Sequence, residues 1–406
     1  SSLPAPGTRS VGLIGFSVQN QDYTAAELKV EGLKVYEVTL DGEKVSGTAL
    51  KIEPATHEFV IRYLAEAWEV PEPVISLETP KDGVLSLRED GRGIFSMYVN
   101  ERGFTSGSIS VSPEGKYLAL NTEITDVSYH KSRSTEIFRL SDGQVISRKD
   151  GRVEWLPLRD AFFYTVSDGH GRNLVCCDPE TNMETVMARN IPEGRFQISP
   201  DEKYLIYQIG QEGPEDKGLR QILNPEDRQP GWRDRSYIAR YEIASGIMQP
   251  LTFGYSNSYL MDISSDGGSI LFMVQTLRLT ERPTDLFSLY RMDIRTLETE
   301  CLIDRDGFIS RASFSPDGTR IAVSGSPESL GGIANRVPAG MTPSMTESEL
   351  YVMDITDRKV RALTADFDPC VSSFKWSPVD GKIYFTAEDK DCVHLFKADP
   401  DGKGIV

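Results

Sequence analysis

The chain has 406 residues, of which 39% are hydrophobic and 26% charged, and its formal net charge is −17. That length exceeds one ordinary core, and the composition is that of a folded protein rather than a disordered one. The acidic balance argues against DNA or RNA, which call for clustered Lys and Arg, and no apolar run approaches the roughly 18 residues of a membrane-spanning helix.

Residues 1–20 lack a basic start followed by an apolar stretch, and the first residue is Ser1, so we expect a processed chain whose targeting segment has been removed. Residues 24–64 then alternate in the manner of half-buried strands, as in Leu28, Val30, Leu33, Val35 and Val38, turn at Asp41-Gly42 and resume from Val45 to Tyr63. The stretch from Val38 to Ile61 resembles the latter half of a galactose-binding-like or PA14-like sandwich. Some forty residues are too few for a whole sandwich, so a partial β-sandwich is expected, either truncated or completed by the later part of the chain. Pro71 and Pro73 mark a linker.

Beyond the linker one pattern recurs: an apolar strand, Ser-Pro-acidic-Gly or a relative of it, and a second apolar strand. Its best copies are Ile109 to Leu120 around Ser112-Pro113-Glu114-Gly115, Ala312 to Val323 around Ser315-Pro316-Asp317-Gly318, and Phe374 to Phe385 around Ser377-Pro378-Val379-Asp380-Gly381. Looser copies run from Phe196 to Tyr207 and from Met261 to Phe272, with a degenerate one from Val153 to Tyr164. Ser can bond the backbone ahead, Pro presets φ, and Gly supplies the positive φ that closes the turn. The strand after each turn is apolar at consecutive positions, as in Tyr204-Leu-Ile-Tyr207, which fits a sheet covered on both faces.

A second hairpin follows each copy, giving four strands per unit, as in Leu350 to Asp354 turning into Val360 to Thr364. Four-stranded units at this spacing predict an all-β fold, a six- or seven-bladed β-propeller. Six units run from about Phe104, and strands near Val84 to Met97 are expected to supply part of another. The partition is 1–82 for the partial sandwich and linker and 83–406 for the propeller. Helical character is confined to the insert from about Gly210 to Arg235.

The five cysteines are an odd number without C-x-x-C spacing, so neither structural zinc nor a disulfide framework is expected, and they read as small apolar residues in blade cores. The histidines, His57, His130, His170 and His394, are scattered, with His170 in a solvated hairpin. The acidic loops Asp304-Arg-Asp306-Gly307 and Asp399-Pro-Asp401-Gly402 lack the Glu of an EF-hand and read as turns. No metal and no cofactor is expected. The nearest approach to a G-x-S-x-G nucleophile elbow is Gly254-Tyr-Ser256-Asn-Ser258, which reads as an ordinary inter-blade turn, so no catalytic residue is assigned.

The repeat resembles the propeller units of TolB-type proteins and of the prolyl oligopeptidase family of serine peptidases. Asn224-Pro-Glu-Asp-Arg228 with Gln-Pro-Gly-Trp232-Arg-Asp-Arg235, Phe314-Ser-Pro-Asp-Gly with Ser324-Gly-Ser-Pro-Glu328, and Ile383-Tyr-Phe-Thr-Ala-Glu388 are similar to propellers of bacterial members of that family. The resemblance implies a non-catalytic propeller that gates the access of short peptides to a C-terminal hydrolase domain carrying the Ser, Asp and His triad. It also implies a periplasmic or secreted location. The rival is a TolB-like periplasmic propeller that binds a protein or glycan partner. Dipeptidyl peptidases resembling this family capture the substrate's free amino terminus with a pair of propeller glutamates, which implies Glu212 and Glu215 as anchors. Arg228, Trp232, Arg233 and Arg235 join them as substrate-facing residues of the same insert, although Glu212 and Glu215 are not adjacent as the pairing would have them.

Overall fold

The computed structural model describes residues 8–20, 23–66, 71–80, 85–87, 103–125, 129–169, 171–213, 218, 222, 233–344 and 346–406. The chain divides into two compact units, one of residues 1–109, 120–137 and 148–152, the other of residues 110–119, 138–147 and 153–406. Among the described residues the regular structure is strand except for one helical turn, Ser329–Gly332.

The front strands are β1 (Arg9–Asn20), β2 (Thr24–Glu31), β3 (Lys34–Leu40), β4 (Glu43–Lys44), β5 (Ala49–Ile52), β6 (Ala55–Glu66), β7 (Val74–Glu78) and β8 (Leu85–Leu87). They form a five-stranded sheet in the order β4-β3-β6-β1-β8 and a three-stranded sheet in the order β5-β2-β7. Period-2 alternation sends Val18, Phe59, Leu28, Leu50 and Ile52 from the two sheets into one core, with Phe16 stacked on Phe59 at 5.1 Å.

This sandwich has more strands than the alternation over 24–64 announced. β1 carries inward Phe16 and Val18 at one end only, and at the other Gly12 leaves space that the Tyr63 ring fills: a Cβ on Gly12 would lie 2.1 Å from the ring. The Pro71 and Pro73 pair leads straight into β7, which pairs with β2. Leu85 to Leu87, expected to start a further blade, pair instead with Asn20, Gln19 and Val18 of β1, because Leu85 packs against the front core. Val84 and Arg88 to Met97 lie outside the described residues.

Six antiparallel meanders follow. Five have four strands: β9 (Gly103–Val111), β10 (Tyr117–Thr125), β11 (Lys131–Arg139) and β12 (Val145–Asp150); β13 (Glu154–Trp155), β14 (Phe162–Ser167), β15 (Arg172–Cys177) and β16 (Glu184–Ala188); β17 (Arg195–Ile198), β18 (Tyr204–Gln211), β19 (Arg235–Glu242) and β20 (Met248–Pro250); β21 (Asn257–Ile263), β22 (Ser269–Leu277), β23 (Asp285–Asp293) and β24 (Thr299–Asp306); β25 (Ile309–Phe314), β26 (Arg320–Gly325), β27 (Glu349–Asp354) and β28 (Val360–Ala362). The sixth has three: β29 (Cys370–Trp376), β30 (Ile383–Asp389) and β31 (Cys392–Ala398).

In the second to fifth of these meanders the second and third strands are largely covered on both faces, as in Tyr204 to Tyr207, all at 3% exposure or less, whereas β31 of the sixth is exposed from Cys392 to Leu395. Cys176 and Cys177 are buried on opposite faces of β15 as expected, whereas Cys301 and Cys392 are exposed, so the blade-core reading fails for those two.

In the turns at Ser199, Ser264 and Ser315 the serine is buried and its hydroxyl does local work. Ser315 Oγ accepts the Arg320 N–H at 3.0 Å and donates to Asp317 at 2.6 Å, while Gly318, at φ 70°, returns its N–H to the Ser315 carbonyl at 2.9 Å. Ser199 repeats the pattern with Tyr204 and Asp201, and Ser264 with Ser269 and Asp266. Glu202 occupies the glycine position of its turn at φ 56° and is employed there: its carboxylate accepts the Leu158 N–H at 2.9 Å and pairs with Arg159 at 3.1 Å.

Within the larger unit such contacts run from turn to turn. The Glu114 N–H donates to Asp160, the Tyr204 hydroxyl to the Gly267 carbonyl, the Ser265 hydroxyl to the Pro316 carbonyl at 2.7 Å, and Arg320 pairs with Asp401 at 2.9 Å. Each sheet is thus tied to the next at the same end.

In the front unit buried His57 fixes the Asp41-Gly42 turn. Its Nδ1 lies 2.6 Å from Asp41 Oδ2, its Nε2 lies 2.8 Å from the Glu53 carbonyl, and Asp41 Oδ1 accepts the Glu58 N–H at 2.8 Å. Both ring nitrogens therefore face acceptors, the arrangement of an imidazolium. Burial opposes that charge, but the bonds to Asp41 and Glu53 outweigh it and hold the pKa above the ordinary value. A raised folded-state pKa gives stability that is fully present below the ordinary histidine value and is lost as pH rises through the folded value. Hydrogen exchange of β6 amides, corrected for the intrinsic rate, should show protection falling as pH is raised above about 6.5. Asp41→Asn should flatten that fall, and an unchanged profile would remove the ion pair from the account.

Candidate functional site

Adjacent strands are antiparallel, so in every sheet the loop from second to third strand leaves at the end opposite the serine turns. Two such loops are long. Gln211 and Arg235 form the last pair of one hairpin, with residues 212–234, most of them outside the described residues, between them, and Gly325 and Glu349 close another over residues 326–348. The connectors between sheets leave at the same end. The one from Leu251 to Ser256 presents two aromatic side chains to solvent, Phe253 at 78% and Tyr255 at 89% exposure, and Asn257 beyond it accepts the Ser236 N–H at 2.9 Å.

Of the six insert residues singled out in the sequence, Glu215, Arg228 and Trp232 lie outside the described residues. Glu212 and Arg233 are exposed and Arg235 is half-buried, all at the base of the loop. That base is drawn together by the Gly213 N–H, which donates to Asp234 at 2.8 Å, and a Cβ on Gly213 would lie 2.7 Å from that of Arg233. The helical character expected of the insert falls almost wholly outside the described residues.

The start of the second loop is held by Asp306 at the end of β24, whose carboxylate accepts the Phe308 N–H at 2.8 Å and the Leu330 N–H at 2.7 Å; Leu330 stands at φ 55°. The Asp306 carboxylate, read from the sequence as part of a turn, thus also supports the helical turn. Farther on, Arg336 pairs with Asp366 at 2.8 Å and donates to the Ile333 carbonyl at 3.1 Å.

The loop ends on Glu349, the first residue of β27 and 4% exposed. Its carboxyl accepts the Thr364 hydroxyl, and the same hydroxyl accepts the Leu350 N–H at 2.8 Å. The third sheet has the same framework, Thr252 accepting the Ile238 N–H at 2.9 Å, but Tyr237 precedes Ile238 there. The fold therefore accepts a neutral residue where the fifth sheet has a buried acid. Burial pushes the Glu349 carboxyl up to about 7, with Glu347 and Asp366 adding to the rise and Thr364 and Arg336 opposing it. A carboxyl so placed exchanges its proton near neutrality. Sequence reading missed it; the signal was an acid heading the apolar run Glu349-Leu-Tyr-Val-Met353.

Among the described residues no three His, Cys, Asp or Glu side chains gather as a metal site. His394 lies edge-on to Phe396 at 6.2 Å, and His170 is outside the described residues. Asp399 accepts the Asp401 N–H at 2.9 Å, as a turn does. Ser256, of the nearest approach to a nucleophile elbow, sits in the connector beside exposed Tyr255.

No family model matches the sequence, and no curated protein matches it. Solved structures do. Pyrococcus horikoshii acylaminoacyl peptidase is similar at a TM-score of 0.51 and 17% identity, over 73% of this chain and 45% of that one. An acylaminoacyl peptidase in complex with Z-Gly-Gly-Phe-chloromethyl ketone gives 0.53 at 17% identity, over 74% and 46%. The chain has the propeller fold of these peptidases. It spans less than half of their length. The β-propeller domain of the Trilobed protease from Pyrococcus furiosus is similar at 0.48 and 15% identity, over 75% of this chain and 82% of that one.

Glu349 yields a prediction for this propeller. Between the ordinary glutamate value of 4.5 and the folded value of about 7 the native state holds the extra proton. Stability therefore falls as pH rises through that window and is level above it. Glu349→Gln should abolish this slope and stabilise the protein by roughly 3 kcal/mol at pH 8. Urea unfolding at pH 5 and pH 8 checks it, and an equal loss of stability in the variant at both pH values would show that the carboxyl is not burdened by burial.

Proposed function

We propose that this chain is the non-catalytic propeller of a prolyl oligopeptidase-type serine peptidase, periplasmic or secreted. In this reading it gates the access of short peptides to a hydrolase domain carried outside these residues. The observation that carries the reading is the match to acylaminoacyl peptidase, which takes in 73% of this chain and only 45% of that peptidase. The loop-bearing end supports it: a set of tied sheets carries two long insertions and displays the exposed Phe253 and Tyr255, as a surface meeting another domain would. The complex of a similar peptidase with Z-Gly-Gly-Phe-chloromethyl ketone is in keeping with short peptides as substrates.

In this reading Glu212 and Glu215 anchor a substrate ammonium, a charge-assisted bond that gains strength as water is excluded. The decisive experiment expresses the full reading frame and residues 1–406 in parallel and treats both with a fluorophosphonate probe. Labelling of one serine in the longer protein and none in the 406-residue chain is expected; a full-frame product that takes no label sinks the peptidase reading. In the unlabelled full-frame enzyme Glu212→Gln and Glu215→Gln should raise KM for free-amine peptides several-fold and leave amino-acetylated peptides unchanged. Equal effects on both substrates would remove the anchor.

A further inference from the structure

The sheets of the larger unit converge on their first strands. β21 lies against β25 and β25 against β29, and across the first of these junctions the Phe314 N–H donates to Asp262 at 2.8 Å. In a propeller the strands so placed line the central channel. Their side chains alternate: Phe196, Ala312, Phe314 and Trp376 pack into the sheets, whereas Arg195, Arg311 and Lys375 between them are exposed.

Arg195 and Arg311 hold the same repeat position. Each stands four residues before the serine of its turn, Ser199 or Ser315, and each faces an equivalent residue of the second strand, Gln208 or Ser324. The first strands run from the loop-bearing end toward the serine turns, so both arginines sit toward the loop-bearing mouth of the channel. The fourth and sixth sheets have Leu260 and Ser373 at this position, so no acid stands at this level in the third to sixth sheets. The first strands of the unit hold two acids, Glu154 and Asp262, both nearer the turns. Asp262 is already committed, one oxygen to the Phe314 N–H and the other to the Ile263 N–H at 2.9 Å.

Neither arginine has an ion pair or a side-chain hydrogen bond among the described residues. Elsewhere in these sheets Arg159, Arg240, Arg320 and Arg358 each pair with an acid. The chain has 61 acids against 44 lysines and arginines, so cations without a partner are not forced on it by composition. Two arginines left open at one level of the channel are placed for a carboxylate that the chain itself does not supply.

We propose that Arg195 and Arg311 form a carboxylate-binding site at the loop-bearing mouth of the channel, which takes the acidic side chains of a short peptide. A guanidinium offers a planar fork of donors that matches a carboxylate with two parallel bonds. The proposal deepens the peptidase reading and rests on it for the choice of a peptide: acidic peptides are held at the mouth and basic ones are turned back. The formal net charge of −17 repels an acidic peptide from the rest of the molecule, so its binding has to be local.

The test is isothermal titration calorimetry of the 406-residue chain with the peptide acetyl-Gly-Glu-Glu-Glu-Gly-amide and its glutamine counterpart. Saturable binding of the first is expected, with the second weaker by roughly tenfold or more. Arg195→Gln and Arg311→Gln should each weaken the glutamate peptide by roughly tenfold, and Lys359→Gln, in the exposed turn between β27 and β28, by less than about twofold. The paired peptides give the answer even if an arginine variant fails to fold.

Absence of binding, equal binding of the glutamine peptide, or a loss in Lys359→Gln as large as in the arginine variants overturns the proposal. Inorganic phosphate that binds as tightly and displaces the peptide also overturns it, by assigning the arginines to a free anion. Calorimetry is independent of the serine label. Labelling of the full-frame protein without peptide binding overturns this site alone, whereas binding without labelling upholds the site and removes the peptidase reading.

Discussion

The architecture of the larger unit depends on a buried hydroxyl. In the turns at Ser199 and Ser315 the serine accepts the N–H of the next strand and donates to the turn's own carboxylate, so a tight reversal is completed without leaving a buried backbone donor unpaired. Leaving such a group unsatisfied costs about 1–3 kcal/mol. Once the turn is fixed its outer atoms become contact points: the Gly267 and Pro316 carbonyls and the Glu202 carboxylate receive bonds from neighbouring sheets. The geometry that makes a hairpin also ties the hairpins together, and the opposite end is left to variable loops.

That dependence explains what was legible in the sequence. The repeat could be read because turn chemistry is local, confined to a few consecutive residues with distinct conformational roles, and because strands covered on both faces print unbroken apolar runs such as Tyr204 to Tyr207. Where pairing is long-range the reading failed. β1 is half-patterned, since Gly12 gives up its own side chain to the Tyr63 ring, and Leu85–Leu87 looked like the start of a blade because three residues carry no sign of which sheet they will join. Likewise nothing in Asp306-Gly307 tells that the carboxylate will hold the Leu330 N–H, 24 residues on.

The site was less legible than the fold, for a related reason. Charged residues in an insert draw the eye because they are many, whereas one acid inside an apolar strand is easily passed over. Only the spatial comparison of the third and fifth sheets shows that the threonine is the constant part, bonding Ile238 in one and Leu350 in the other, while Tyr237 gives way to Glu349. Since the framework is satisfied without a carboxyl, the acid is not demanded by the strand it heads. Its neighbours, Arg336 and Asp366, line a cavity beside the sixth sheet.

Those two features meet a common limit on repeat architectures. A sheet within the series is covered on both faces by its neighbours and bounded along its outer edge by its fourth strand, so only the ends of the series and incomplete edges expose backbone donors and acceptors beside apolar side chains. Among the described residues the sixth sheet has three strands, and Asp401 ties it to Arg320 of the fifth, the sheet whose loop ends on the buried acid Glu349. These departures from the repeat thus fall in neighbouring sheets, while all six remain joined end to end.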